Sequence, residues 1–194
     1  MATSEEERDL HFRLFYHDNS IRRLFDSPQR LVEPYVTNGQ VVADLGCGPG
    51  FHTLALAELV GPEGRVYAVD SDEKAIRAVE KKADKRGYQN IEAHTSSACD
   101  LSFIEDGSVD FVLANGLLCS MAPQHHESAV NEIRRILKPK GLSYLSTGRS
   151  SRSYVGQAEW ERILEGFRVE RRGGDGFHFP ATGMRWAVVS TKQP

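Results

Sequence analysis

From residue 38 onward, short apolar runs alternate with longer stretches in which apolar residues recur every three to four positions. The runs at 41–45, 65–69, 91–95, 109–115, 167–172 and 185–191 have the length and composition of strands, and 137–145 reads as a turn followed by a strand. The stretches at 51–59, 72–86, 124–137 and 156–165 have helical spacing. The helix at 72–86 has an acidic start, a basic end and Gly87 as its stop. The helix at 124–137 places Val130, Ile133, Ile136 and Leu137 on its inner side. Too few residues separate 95 from 109 for a helix with its connections, so a loop with at most one helical turn is expected there. Strands alternating with helices predict an α/β fold, a parallel sheet with helices on both faces.

The N-terminal stretch follows a different pattern. Ser4 and Glu7 have capping-box spacing, and Leu10, Leu14 and Phe15 share one helical face, which predicts a helix over 5–17. Residues 17–20 break it, Ile21, Leu24 and Phe25 mark a further helical turn, and Ser27 with Pro28 opens a helix over 29–35. Residues 1–37 thus read as a helical cap and 38–194 as the sheet, within one domain.

Composition narrows the class. The 194 residues with 40% hydrophobic content suffice for one full core. No long apolar run offers a membrane span and the acidic start is unlike a signal peptide, so a cytoplasmic protein is expected. Cys47, Cys99 and Cys119 are odd in number and lack CxxC spacing, against a disulfide framework or a metal site. The net charge of −3 hides an asymmetry: residues 1–130 hold 12 Lys/Arg against 21 Asp/Glu, and residues 131–194 hold 12 against 6. The basic half is either a surface for an anionic partner such as RNA or a set of solvated faces.

The chemistry concentrates where the first strand ends. Val41-Val42-Ala43-Asp44-Leu45 runs into Gly46-Cys47-Gly48-Pro49-Gly50 and then a helix. Glycines at this spacing let the backbone turn sharply and leave room for a ligand beside a helix N-terminus. A dinucleotide fingerprint needs its third glycine at position 51, which is Phe, so the spacing excludes that reading. Asp70 ends the second strand, one helix-plus-strand unit later, and a carboxylate there suits a ribose diol.

The string from Val41 to Gly50 resembles motif I of the class I S-adenosylmethionine (SAM) methyltransferases. Asp70, the strand at 109–115 and the turn-plus-strand at 137–145 follow in that family's order, so the resemblance covers roughly 38–148, with Lys140 replacing a frequent glycine. The general type the chain resembles includes the quinone-biosynthesis C-methyltransferases. The resemblance implies a Rossmann-like, doubly wound, mostly parallel seven-stranded sheet whose last strand is antiparallel. It implies SAM as cofactor, with Asp44 near its ammonium group, Gly46, Cys47, Gly48, Gly50 and Thr53 around its amino acid end, and Asp70 on the ribose. Ser71, Ser97 and Ala98 then lie by the adenine, Ser97 where relatives often carry Asp, with Asp100 as the alternative, and Asn115 ends the fourth strand beside the cofactor. Tyr16, His17, Leu117, Cys119 and His125 are the residues expected to face the acceptor; His126 stands beside the last of these, and no single catalytic base is singled out. The absence of Asn-Pro-Pro-Tyr after the fourth strand argues against methylation of planar amino groups. The expected activity is methyl transfer from SAM to a small molecule. RNA or protein methylation and a catalytically silent SAM-binding subunit remain the alternatives, and acceptor and oligomeric state stay open.

Overall fold

A computed structural model describes residues 27–148, 153–174 and 184–192. Its seven strands are β1 (Val41–Leu45), β2 (Arg65–Asp70), β3 (Ile91–Thr95), β4 (Val109–Asn115), β5 (Leu137–Gly148), β6 (Phe167–Gly174) and β7 (Met184–Thr191). They form one sheet in the order β3-β2-β1-β4-β5-β7-β6. Neighbours from β3 to β5 pair in parallel, while β7 runs antiparallel to both β5 and β6. The helices are α1 (Pro28–Val32), α2 (Thr53–Val60), α3 (Glu73–Arg86), α4 (Leu117–Ser120), α5 (His126–Ile136) and α6 (Gln157–Glu165).

Alternation within the strands feeds two core layers. Val42, Val66, Phe111, Leu113 and Tyr144 pack on the side of α1 and α2, with Ala68 meeting Ile76 and Val79 of α3. Ala43, Leu45, Val69, Val112, Ala114 and Leu145 pack on the side of α5 and α6, against Ile133, Ile136, Trp160 and Ile163. Strands covered on both faces by helices are the reason β1, β2 and β4 read as continuous apolar runs. Residues 1–26, with most of the expected cap and with Tyr16 and His17, lie outside the described residues. The described end of that segment is core: Val32 and Val36 are buried with Val42, Leu56 and Val60, and Tyr35 stacks on Phe111.

Several boundaries differ from the sequence expectation. The first sheet-domain helix begins at Thr53, because Phe51 and His52 are spent in the turn that leaves the glycine loop. The expected turn at Lys138–Gly141 is instead a bulge within β5: Val109 pairs with Leu137 and Phe111 with Leu142. Lys138 holds the bulge by donating to both Asp110 oxygens at 2.8 Å, and a side chain at Gly141 would lie 2.9 Å from the Val109 carbonyl oxygen. After β4, Gly116 at φ +75 turns the chain into α4, a four-residue helix that no periodicity announces. Helix α5 is preceded by a 3-10 turn at Pro123–His125, which shortens the helix expected from 124.

Candidate cofactor site

Strand order reverses at β1, which pairs with β2 on one side and β4 on the other, and a crevice opens at the carboxyl ends of strands so arranged. The glycine loop stands in that crevice. Gly46, Gly48 and Gly50 all have positive φ, at +71, +51 and +85, where side-chain-bearing residues are strained. A Cβ on Gly46 would come within 3.0 Å of Leu117, and one on Gly50 within 3.0 Å of Val79. The loop is tied to β2: the Gly46 and Cys47 amides donate to the Val69 carbonyl at 2.8 and 3.1 Å, and the Gly48 amide donates to Asp70 Oδ2 at 2.8 Å. Lys82 of α3 adds a bond from its ammonium to the Pro49 carbonyl at 2.7 Å. The Cys47 side chain is buried among Ala68, Ile76 and Val79, and burial pushes its thiol well above the usual range, so it packs as a neutral group.

Two carboxyl groups back the loop. Asp44 is 3% exposed and accepts from the Thr53 hydroxyl at 2.7 Å; burial first, and the nearby Asp70 charge second, push its carboxyl up to about 7. Thr53 is fully buried, so it reaches a ligand only through Asp44. Asp70 is also raised, chiefly by burial, while the Asp72 and Gly48 amides oppose the shift. Its Oδ1 accepts from the Asp72 amide at 2.9 Å, so each oxygen already holds one backbone donor and keeps lone pairs for a further one.

A cleft of about 140 Å3 adjoins these groups, lined by Gly46, Val69, Asp70, Ser71, Ser96, Ser97, Ala98, Leu117, Ser120 and Met121. It brings together Gly46, Asp70, Ser71, Ser97, Ala98 and Leu117 from four separate chain segments. The Ser97 hydroxyl accepts from the Cys99 amide at 3.2 Å and retains its own proton and a lone pair. Asp100 is exposed, accepts from the Ser102 amide, and is not among the cleft residues.

The other end of the site is built on β4 and β5. Asn115 accepts from the Ser146 hydroxyl at 2.6 Å, its Nδ2 lies 3.1 Å from His52 Nε2, and Ser146 accepts from the Gly116 amide at 3.0 Å. His52 and Ser146 were not foreseen: position 52 merely follows the glycine loop, and Ser146 is one polar residue in an apolar strand. Cys119 donates to the Gly116 carbonyl at 3.1 Å, within α4. His125 is exposed at the start of α5. Its neighbour His126 is buried, with Nδ1 at 2.8 Å from Glu159 and Nε2 at 2.9 Å from the Leu118 carbonyl, and so ties α4 to α6. Among the described residues no cluster of His, Cys, Asp and Glu could hold a metal ion, and no helix is long and apolar enough to cross a membrane.

These residues fit the parts of SAM. Val69, Ala98, Leu117 and Met121 give an apolar slot for a planar base, Asp70 faces the adjoining space with free lone pairs, and Asp44 lies behind the loop as a buried acid that a cationic group would ionise. The methyltransferase-domain family pattern matches residues 42–141, the stretch holding every one of these groups. Demethylmenaquinone methyltransferase of Geobacillus stearothermophilus is 35% identical over 108 residues, 56% of this chain and 45% of the relative. Arsenite methyltransferase of Aquipseudomonas alcaligenes is 30% identical over 142 residues, 70% of this chain and 40% of the relative. The chain thus spans less than half the length of these curated relatives. A SAM-dependent methyltransferase from Aquifex aeolicus shares the fold at a TM-score of 0.71 and 22% identity, over 97% of this chain and all of that one. On its glycine loop and the family pattern that matches just over half of its length, the chain belongs to the methyltransferase-domain family of S-adenosylmethionine-dependent proteins.

Proposed function

We propose that this protein transfers a methyl group from SAM to a small-molecule acceptor in the cytosol. The observation that carries the reading is the convergence of Gly46, Asp70 and the Ser97–Ala98 wall on one cleft at the point where strand order reverses, with Asp44 buried behind the glycine loop. SAM supplies both the methyl and its leaving group, so the protein's part is to bind, orient and keep water out. Asp70 accepts from the ribose hydroxyls, Asp44 neutralises the ammonium end, and Ser97 with Ala98 meets the edge of the base. Asn115, fixed by Ser146 and His52, and the α4 wall with Leu117 and Cys119 face the acceptor.

The small-molecule acceptor is favoured over RNA by the way the basic half is laid out. Arg135 is paired with Glu132 and Asp106, Lys138 with Asp110, Arg162 with Glu159, Arg168 with Glu170 and Arg172 with Glu161. These five of the twelve cations of residues 131–194 are committed to neighbouring carboxylates, which weakens the field they offer a phosphate chain. The three free thiols accord with a reducing compartment. Incubating the protein with methyl-labelled SAM and fractionated cell extract tests the reading. Label in a low-molecular-weight product is expected; label in RNA or protein, or in nothing, contradicts it.

A further inference from the structure

Residues 96–107 supply Ser96, Ser97 and Ala98 to the cleft, yet this connection contains no helix or strand. The Ser96 amide ties its start to the Asp70 carbonyl and the Cys99 thiol lies 3.5 Å from the His125 carbonyl, but the backbone from Leu101 to Ile104 is fastened by one pair of side chains on α5. Glu132 Oε2 accepts from the Leu101 amide at 2.8 Å. Arg135 donates through Nη2 to the Leu101 carbonyl at 2.8 Å and through Nη1 to the Ile104 carbonyl at 2.8 Å and Asp106 Oδ1 at 2.6 Å. The two side chains also lock each other, Nε to Oε1 at 2.8 Å and Nη2 to Oε2 at 2.9 Å. The Arg135 carbonyl accepts from the Gly107 amide at 2.9 Å.

A Glu and an Arg three apart on a helix are ordinarily a surface pair of small consequence. Here the pair's hydrogen bonds run into the backbone of Leu101 and Ile104, whose side chains are fully buried and whose peptide groups need partners in place of water. The forked guanidinium reaches two carbonyls and two carboxylates at once, which a lysine ammonium on a flexible stem does not reproduce. The stretch between Leu101 and the cleft is itself braced: the Asp100 amide donates to the Ser97 carbonyl at 2.9 Å, and the Ser96 hydroxyl to the Asp100 carbonyl at 2.9 Å. A displacement at Leu101 is therefore passed to Ser97 and Ala98.

We propose that Glu132 and Arg135 are positioning residues for the cofactor, setting the wall against which its base is held without touching it. The proposal rests on the reading that the cleft takes SAM. The test uses the full chain with Arg135→Lys and the isosteric Glu132→Gln, titrated calorimetrically with S-adenosylhomocysteine and followed by amide hydrogen exchange. Each variant should bind about 10-fold more weakly, the effect of leaving a buried backbone group without its charged partner. Exchange should quicken at 98–107 and stay slow in β1 and β4. A pair that serves stability alone would lower the thermal midpoint and leave both the affinity of the folded protein and the loop's exchange relative to the core unchanged. That result in both variants, beside a wild-type chain that binds, overturns the proposal alone. A wild-type chain that does not bind S-adenosylhomocysteine overturns the cofactor reading and this proposal with it.

Discussion

A carboxyl group sealed from water and held by a single hydroxyl favours its proton, and Asp44 is in that position with its pKa pushed up to about 7 from 3.8. The folded chain holds this proton more tightly than the unfolded one. Its contribution to stability is therefore full below pH 3.8 and is lost as pH rises through about 7. An ammonium group bound beside Asp44 favours the carboxylate, so SAM should bind more weakly as pH falls below 7. Asp44→Asn should flatten that dependence, weaken binding at pH 8, and raise the thermal midpoint of the ligand-free protein there; an unaltered pH profile by calorimetry contradicts the assignment. Asp70 does two jobs, since it anchors the Gly48 and Asp72 amides as well as facing the ribose. Asp70→Ala should lose roughly 1.5 to 3 kcal/mol of SAM binding, the scale for hydrogen bonds to a charged group. Asp70→Asn should fare no better, because its amide would set a donor against one of those two backbone donors, and near-parental affinity in either variant would sink the assignment. At this scale the glycines and both carboxylates were legible, because each is fixed by local backbone geometry. The hydroxyl of Thr53 was not: it stands one turn from the loop in sequence but is turned inward to Asp44. His52, Asn115 and Ser146 meet only once three strand ends are side by side.

Elements announced by their own ends were the readable ones. Helix α3 opens with Asp72 accepting from the Lys74 amide and closes on Gly87 at φ +71, both visible as residue types at the right spacing. Helix α4 carries no such signal, since it is four residues long and is entered through a left-handed Gly116. The bulge in β5 was equally silent, because Lys138, Pro139 and Gly141 suit a turn as well as they suit a bulge held by Asp110. Helix α5 shows both sides. Its inner face of Val130, Ile133 and Ile136 follows from periodicity, whereas the engagement of Glu132 and Arg135 with a distant loop does not. Ile133 is fully buried between α5 and the sheet, so Ile133→Ala should cost about 2 to 5 kcal/mol of folding stability. Denaturant unfolding measures this; a loss well under 1 kcal/mol would mean that the α5 face is packed loosely.

For the molecule as a whole, the sheet order is the feature that makes a site. Placing β2 and β4 on opposite sides of β1 sends the following helices to opposite faces and leaves a crevice above β1 that none of the described helices fills. The alternating pattern predicted the parallel part of this sheet. That the last strand is antiparallel came from the family resemblance; its insertion between β5 and β6 was not legible, since two strands at the end of a chain can pair in several ways. What that crevice binds decides the function. Calorimetric titration of the full chain with SAM, and separately with NAD, decides it most directly. We predict SAM binding in the micromolar range, on the order of 6 to 8 kcal/mol, and no detectable heat with NAD; binding of NAD without binding of SAM would contradict the account.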